Sequence, residues 1–287
     1  MFASCVAIMK GFRAFAGNVL HKVMYAIFYI KSYIVGENMI KDKDFWNKRA
    51  RSFPGHRDGD TYQAKVLEII EKNGVSFDGL TVLDLGCGSG AYSIRLAKKA
   101  KILTALDISD GMLENLKKSA EENGIKNIEY INADWSEYFP DKKFDIIFAS
   151  LTPALKDENS VEKVINYSKK WFINIVFASP MTNDLLQGLF EIHNLEQKSR
   201  NKFEPVAENY FIKNNLKFSK YFLKGQWETL RNYEEMTNNC YDIIKAHGEE
   251  PNMEKIEKYI ENFKDKETGM YISKNNYDVE IITYNVS

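Results

Sequence analysis

Residues 82–92 read VLDLGCGSGAY, an apolar run that stops at an acid and then breaks into glycines at positions 86, 88 and 90. So few side chains at one turn let a backbone approach a ligand closely, with N–H groups and a helix N-terminus aimed at it. Such a turn needs a strand before it and a helix after it, and the flanking residues supply both. Thr81 to Leu85 is an apolar strand candidate, and a helical pattern with Ile94, Leu96 and Ala97 runs from Ala91 to about Lys101.

The alternation continues. Ile102–Leu106 predicts a second strand, and Ser109 can cap a helix carrying Met112, Leu113 and Leu116 that stops at Gly124. Ile128–Ile131 and Phe144–Ala149 predict a third and a fourth strand. Residues 161–170 read as a helix and Trp171–Ala178 as a fifth strand. Continuous apolar strands separated by helices imply a parallel sheet buried on both faces, a doubly wound α/β core. Helical patterns also precede it, in two pieces around the Pro54–Gly59 loop.

Beyond Pro180 the pattern loosens. Leu185, Leu186, Leu189, Phe190 and Ile192 mark a helix, residues 232–247 and 252–263 two more, and Phe218–Thr229 and Tyr277–Val286 two strands. Residues 231–267 carry ten acidic and six basic side chains, a net of −4 that repels a phosphate backbone. The whole chain of 287 residues has a net charge of −1, which disfavours a nucleic-acid partner. Three scattered cysteines, Cys5, Cys87 and Cys240, fit a reducing, cytoplasmic compartment better than a disulfide framework.

Residues 1–38 differ. Lys10, Arg13, Lys22 and Lys31 against Glu37 give +3, and Phe12, Phe15, Val19, Val23, Ile27, Ile30 and Ile34 recur at amphipathic helical spacing. The basic residues break every apolar run well short of the ~18 residues of a spanning helix. The segment suits contact with a membrane surface or packing on the domain or on a second copy, and Met39 offers an alternative start.

The glycine turn, as Gly86-x-Gly88-x-x-Ala91 with Asp107 at the end of the second strand, satisfies a dinucleotide fingerprint. It does not by itself choose between NAD and another adenosine-bearing ligand. Asp84, two residues before Gly86, welcomes a cationic centre and repels a pyrophosphate. Ala133-Asp134-Trp135 places an acid and an aromatic after the third strand, a pair suited to the edge and face of an adenine.

Taken in order, VLDLGCGSG, ALDISDGML, INADW and FDIIFAS resemble the successive motifs of class I S-adenosylmethionine-dependent methyltransferases, over roughly residues 42–180. The resemblance implies a Rossmann-like, seven-stranded, mostly parallel sheet with an antiparallel last strand and helical additions at the N-terminus and in the C-terminal half. The domain would span residues 39–287, with lid helices over 42–74, a cofactor-binding core over 80–180, and a substrate region with the C-terminal strands over 181–287. Gly86 and Gly88 would approach the methionine part of the cofactor, with Asp84 steadying the turn and the amino group. Asp107 would take the ribose hydroxyls, and Ile108 and Met112 would lie against the adenine. Asp134 and Trp135 would hold the adenine edge and face, and Ser150 would lie beside the methionine part. FWNKRARSF resembles the N-terminal helix that small-molecule members fold over the cofactor.

The implied reaction is in-line methyl transfer to a small-molecule acceptor. Methyltransferases of exocyclic adenine or amide nitrogens carry Asn/Asp-Pro-Pro-aromatic after the fourth strand, where this chain has Ser150-Leu151-Thr152-Pro153. Cytosine C5 chemistry needs a nucleophilic cysteine, typically after proline, and none stands there. The four histidines form no cluster with metal-ligand spacing. No residue is marked as catalytic; His56, in the loop beside the lid, is the general-base candidate, and Tyr62 reads as a packing residue. The rival readings are an NAD(P)-dependent oxidoreductase and a catalytically silent cofactor-binding or membrane-associated scaffold.

Overall fold

A computed structural model describes residues 43–50, 56, 59, 61–179, 182–195 and 205–286. The amphipathic extension expected over 1–38 lies outside the described residues. Helices α1 (Lys43–Ala50) and α2 (Tyr62–Lys72) lead into β1 (Thr81–Leu85), α3 (Ser93–Ala97), β2 (Ile102–Asp107), α4 (Asp110–Glu122), β3 (Ile128–Asn132), β4 (Phe144–Ser150), α5 (Glu158–Tyr167) and β5 (Ser168–Phe177). The second half holds β6 (Thr182–Asn183), α6 (Asp184–Ile192), α7 (Val206–Lys213), β7 (Ser219–Arg231), α8 (Tyr233–Ala246), α9 (Met253–Ile260), a short 3-10 turn and β8 (Tyr271–Asn285).

The sheet runs β3-β2-β1-β4-β5-β8, with β7 on the far side of β8. Strands β1 to β5 pair in parallel, and β8 is antiparallel to both β5 and β7. The extra strand β6 pairs with β8 at Asn275 and Asn276, just beyond the stretch that pairs with β5. β7 occupies the other edge of β8 throughout, so β6 continues the lane of β5. Among the described residues eight strands therefore fill seven lanes, and one lane is antiparallel, as the resemblance implies.

Alternation along the strands divides two cores. One face sets Val82, Ile146, Phe148 and Ile173 against Val66 and Ile70 of α2, Ile94 of α3 and Leu113 and Leu116 of α4. The other sets Leu83, Leu85, Ile147 and Phe172 against Val161 and Val164 of α5, Phe211 of α7 and Trp135. Burial on both faces explains why these strands read as continuous apolar runs.

Several sequence boundaries shift: the helix expected from Ala91 to about Lys101 is confined to Ser93–Ala97, and the one expected from residue 161 begins at Glu158. The helix expected to reach Lys170 ends at Tyr167, because Ser168 turns its hydroxyl back to the Val164 carbonyl at 2.8 Å and begins β5. The last strand begins at Tyr271, six residues before the alternation expected at Tyr277. Its first eight residues project past the end of β5 with their β7 partners as a ribbon, flanked by the short β6 at Asn275 and Asn276.

Because β8 is antiparallel, that overhang stands at the edge where β1 to β5 end. There α6, α8 and α9 pack into a separate cap around Leu189, Phe190, Met236, Cys240, Ile244, Ile256, Ile260 and Tyr271. The sheet thus positions a small helical layer above its carboxyl edge, where open α/β sheets bind ligands. No described helix is long and apolar enough to cross a membrane.

Candidate functional site

The turn after β1 is held by the strand beside it. The amides of Gly86 and Cys87 both donate to the Leu106 carbonyl, at 2.8 and 3.1 Å, which folds the turn over the end of β2. Gly86 has φ +69° and Gly88 φ +54°, a region that costs a side-chain-bearing residue about 1–2 kcal/mol. A Cβ on Gly86 would lie 2.0 Å from Thr152 Oγ1, whereas one on Gly88 would meet nothing within 4 Å. Gly86 lets the β4 loop close on the turn, and Gly88 leaves room for a ligand.

Two acids are drawn into the same turn. Asp107, at the end of β2, accepts the Gly88 amide on Oδ2 and the Ser109 amide on Oδ1, each at 2.8 Å. It locks the glycine turn to the start of α4, and both of its oxygens keep spare lone pairs although the residue is only 8% exposed. Asp84 is 2% exposed and accepts the Ser93 hydroxyl at 2.6 Å. Burial pushes its carboxyl up to about 7, the Ser93 bond opposes this, and the charge of Asp107 adds to it. Burial also raises Asp107, against the pull of the Ser109 and Gly88 amides. Burial and both acids push the Cys87 thiol well up, leaving it an unreactive neighbour.

The two carboxylates make the turn a place where negative charge is expensive and a cation would relieve it. That fits the sulfonium and ammonium of S-adenosylmethionine and not a pyrophosphate. Gly88's open side leaves room for such a ligand, while the amides of Gly86, Cys87 and Gly88 hold the turn itself.

Other expected residues fall on either side of this centre. Ile108 is half-buried, and its carbonyl accepts Asn132 Nδ2 at 2.9 Å. Met112 is buried in the first turn of α4, with its amide bonded to the capping Ser109 hydroxyl at 3.1 Å. Asp134 accepts both the amide and the hydroxyl of Ser136 at 2.7 Å, all on Oδ1. Burial works against that carboxylate, but the Ser136 bonds with Lys156 and Lys163 outweigh it and hold the acid below its ordinary range. Ser150 ends β4 half-buried, and Leu151 after it adopts φ +49°, a costly conformation for a branched side chain that turns the loop toward Gly86.

Trp135 requires a correction. Its ring is 2% exposed in the second core, its indole N–H donates to the Ser160 carbonyl at 3.3 Å, and Tyr167 meets it edge-on at 6.3 Å. Lys163 covers the ring at 4.6 Å and donates to the Trp135 carbonyl at 2.6 Å. The side chain faces α5 and presents no open face to an adenine.

Helix α1 supplies residues the sequence did not single out. Asn47 accepts the Ser109 hydroxyl at 2.5 Å on Oδ1 and donates to Asp110 at 2.8 Å through Nδ2. Lys43 bonds Asn132 at 3.0 Å and pairs with Asp110 at 3.2 Å. Asn115 of α4 donates to the Ala50 carbonyl at 2.8 Å, and Gly111 gives Ala50 its close approach. Helix α1 thus docks across the start of α4, beside Asp107. Polar residues on a short, mostly polar helix carry no motif, so only the fold identifies them.

His56 is half-buried, and the segments on either side of it lie outside the described residues. Tyr62 opens α2 with its ring 5.3 Å from Tyr277 and 6.3 Å from Tyr92, in a packing role. Among the described residues no group of three or more His, Cys, Asp or Glu could hold a metal ion.

A family model described as a methyltransferase domain matches residues 76–210. A probable cobalt-precorrin-6B C(15)-methyltransferase (decarboxylating) of Methanocaldococcus jannaschii is 30% identical over 131 residues, covering 46% of this chain and 66% of that protein. A probable (S)-tetrahydroprotoberberine N-methyltransferase 2 of Papaver bracteatum is 40% identical over 134 residues, covering 46% of this chain and 34% of its own length. Among solved structures, magnesium protoporphyrin IX methyltransferase of Synechocystis PCC 6803 with bound SAH aligns over 84% of this chain and 97% of that one, at 17% identity and a TM-score of 0.45. The chain spans 54%, 27% and 66% of the first three curated relatives it matches.

Proposed function

Because this chain belongs to the class I S-adenosylmethionine-dependent methyltransferases, we propose that its carboxyl-edge site transfers a methyl group from that cofactor to a small molecule held beneath the cap. The observation that carries this reading is the pair of buried acids, Asp84 and Asp107, gathered on one glycine turn that stays open at Gly88.

When bound, S-adenosylmethionine supplies a methyl group already activated by the positive sulfur. The chain's own work is then orientation and exclusion of water. Asp107 keeps the turn and α4 in register through its two amide bonds and offers its remaining lone pairs to ribose hydroxyls. Asp84 balances the positive charge of the methionine part, giving up its proton as that charge arrives. Asp134 offers the adenine edge an acceptor, Ile108 and Met112 line its side, and Ser150 with the Leu151–Thr152 turn bounds the methionine part. Asn47 and Lys43 hold α1 over the start of α4 as a lid.

The acidic cap helices α8 and α9 and the turn after them, net −4 over 231–267, disfavour a polyphosphate acceptor. The two relatives above are named for a cobalt-precorrin and a tetrahydroprotoberberine, which supports a small-molecule acceptor. The two described cysteines, Cys87 and Cys240, are free and buried, which supports a reducing, cytoplasmic setting.

Thermal denaturation with added ligand tests the reading. At about 100 times its Kd, a ligand stabilises the folded state by about 2.7 kcal/mol, so S-adenosylmethionine and its demethylated product should raise Tm by several degrees. A rise with NAD(P) alone would replace the proposal with an oxidoreductase, and a rise with neither would leave a silent scaffold.

A further inference from the structure

β7 is the outer strand of the sheet. Among the described residues its backbone pairs with β8 alone, over all thirteen residues, about twice the common strand length. A long edge of this kind offers a row of N–H and C=O groups to another strand. Beyond Lys220, whose ammonium is tied to Glu208 of α7 and Glu280 of β8, the even-numbered residues of this edge face outward. Phe222 is 56% and Leu230 54% exposed, with Lys224, Gln226 and Glu228 between them, all exposed.

We propose that a second copy of this chain adds to this edge, antiparallel, about a two-fold axis through Gln226. Directly opposed residues of antiparallel strands share a face, and their side chains decide whether pairing is favourable. An axis at Gln226 sets Phe222 against the second copy's Leu230 and Lys224 against its Glu228, and symmetry repeats each contact. Moving the axis to Gly225 would oppose Phe222 with Glu228, and moving it to Trp227 would oppose Lys224 with Leu230. Only the Gln226 axis matches charge with charge and apolar with apolar.

The match extends into the neighbouring strand. Lys224 already bonds Asp278 of β8 at 3.0 Å, and Glu228 faces Lys274 at 3.8 Å. Across the axis these become one row of alternating sign: Asp278, Lys224, then the second copy's Glu228 and Lys274. Gln226 pairs in register with Asn276, so the central row is four amides, and Leu230 pairs with Ile272, so the outer rows join Phe222 to two apolar residues. The assembly would be one continuous sheet through both copies, with the ribbons that carry the caps braced against each other.

Sedimentation equilibrium of the full chain from about 1 to 100 μM tests this, with charge reversal as the probe. The expected result is a particle of twice the 33.2 kDa chain mass. Lys224→Glu should weaken the dimer at least about tenfold, because it places like charges opposite one another twice. Lys224→Glu combined with Glu228→Lys should restore it. Inside each chain the double variant still sets like charges against Asp278 and Lys274, so recovery reports the contact between copies and not better folding. A monomer at every concentration, a dimer indifferent to Lys224→Glu, or no recovery in the double variant would overturn the proposal. Amide exchange gives an independent reading: the alternate amides of residues 222–230 that point away from β8 should exchange slowly only in the dimer, whereas those bonded to β8 are protected in either state. Slow exchange of the outward-pointing amides in a monomer would mean that this chain covers its own edge, and would also overturn it.

Discussion

The glycine turn and the cap sit at the same edge of the sheet and are built on opposite principles. In the turn, side chains serve the backbone: Asp107 accepts two amides, the Leu106 carbonyl holds two more, and Gly86 and Gly88 are bare. In the cap, backbone regularity serves side chains, with helices begun by Asn232 and Asn252 N-caps and packed through Phe190, Met236, Ile256 and Ile260. The first arrangement suits a ligand part that never changes, since a backbone cradle tolerates almost no substitution. The second suits an acceptor, because packed helices can change residue by residue without moving the sheet.

The sharpest way to break this contrast is Gly86→Ala. The added Cβ would meet Thr152 Oγ1 at 2.0 Å and would hold an L-residue at φ +69°. Both penalties fall where the β4 loop closes on the turn, so affinity for S-adenosylmethionine should fall at least about 100-fold, or some 2.7 kcal/mol. Titration calorimetry reads the affinity and circular dichroism checks that the fold survives. Near wild-type affinity would mean that the turn does not cradle the cofactor.

What the sequence made legible follows the same divide. Strands β1 to β4, the glycine turn and the placement of Asp84, Asp107 and Asp134 near the carboxyl edge were readable because each is encoded by residues adjacent in the chain. Trp135 misled: an aromatic after a strand end fits an adenine and fits a core, and only the position of Ser160 and Lys163 on α5 decides for the core. Asn47 and Thr152 act across the fold on Ser109 and Gly86, so their partners are invisible in one dimension. β6 is two residues long, too short to show a period. α7 did carry a signal, Pro205 followed by Ala207, Tyr210 and Phe211 at helical spacing, in a stretch otherwise rich in charge.

A smaller effect sharpens the electrostatic half of the contrast. Folding raises the Asp84 carboxyl from 3.8 to about 7. The folded state therefore holds a proton that the unfolded chain releases between those values, and stability falls as pH rises from about 4 to 7. Asp84→Asn removes that penalty. The variant should match wild type near pH 4 and exceed it above pH 7, by at most about 4 kcal/mol, while binding S-adenosylmethionine more weakly. Urea unfolding across this range reads the difference. Parallel curves would show that Asp84 pays no charge penalty in the fold.

The mildest test is made in the cap. Gly188 lies in α6, where a Cβ would sit 2.3 Å from the Tyr259 hydroxyl, which donates to the Leu185 carbonyl at 3.1 Å and the Asp184 carbonyl at 3.3 Å. Alanine favours a helix over glycine by about 1 kcal/mol, but overpacking at this contact costs about 1–3 kcal/mol. Gly188→Ala should therefore part α6 from α9 slightly and speed amide exchange in α9 by up to about tenfold. Affinity for S-adenosylmethionine should stay within about twofold, because no bond of the turn passes through the cap. The two glycine variants then form a pair, one adding a methyl to a backbone cradle and the other to a helix contact at the same edge. If Gly188→Ala lowered cofactor affinity as Gly86→Ala does, the cap would be part of the cofactor site, and its freedom to vary with the acceptor would be lost.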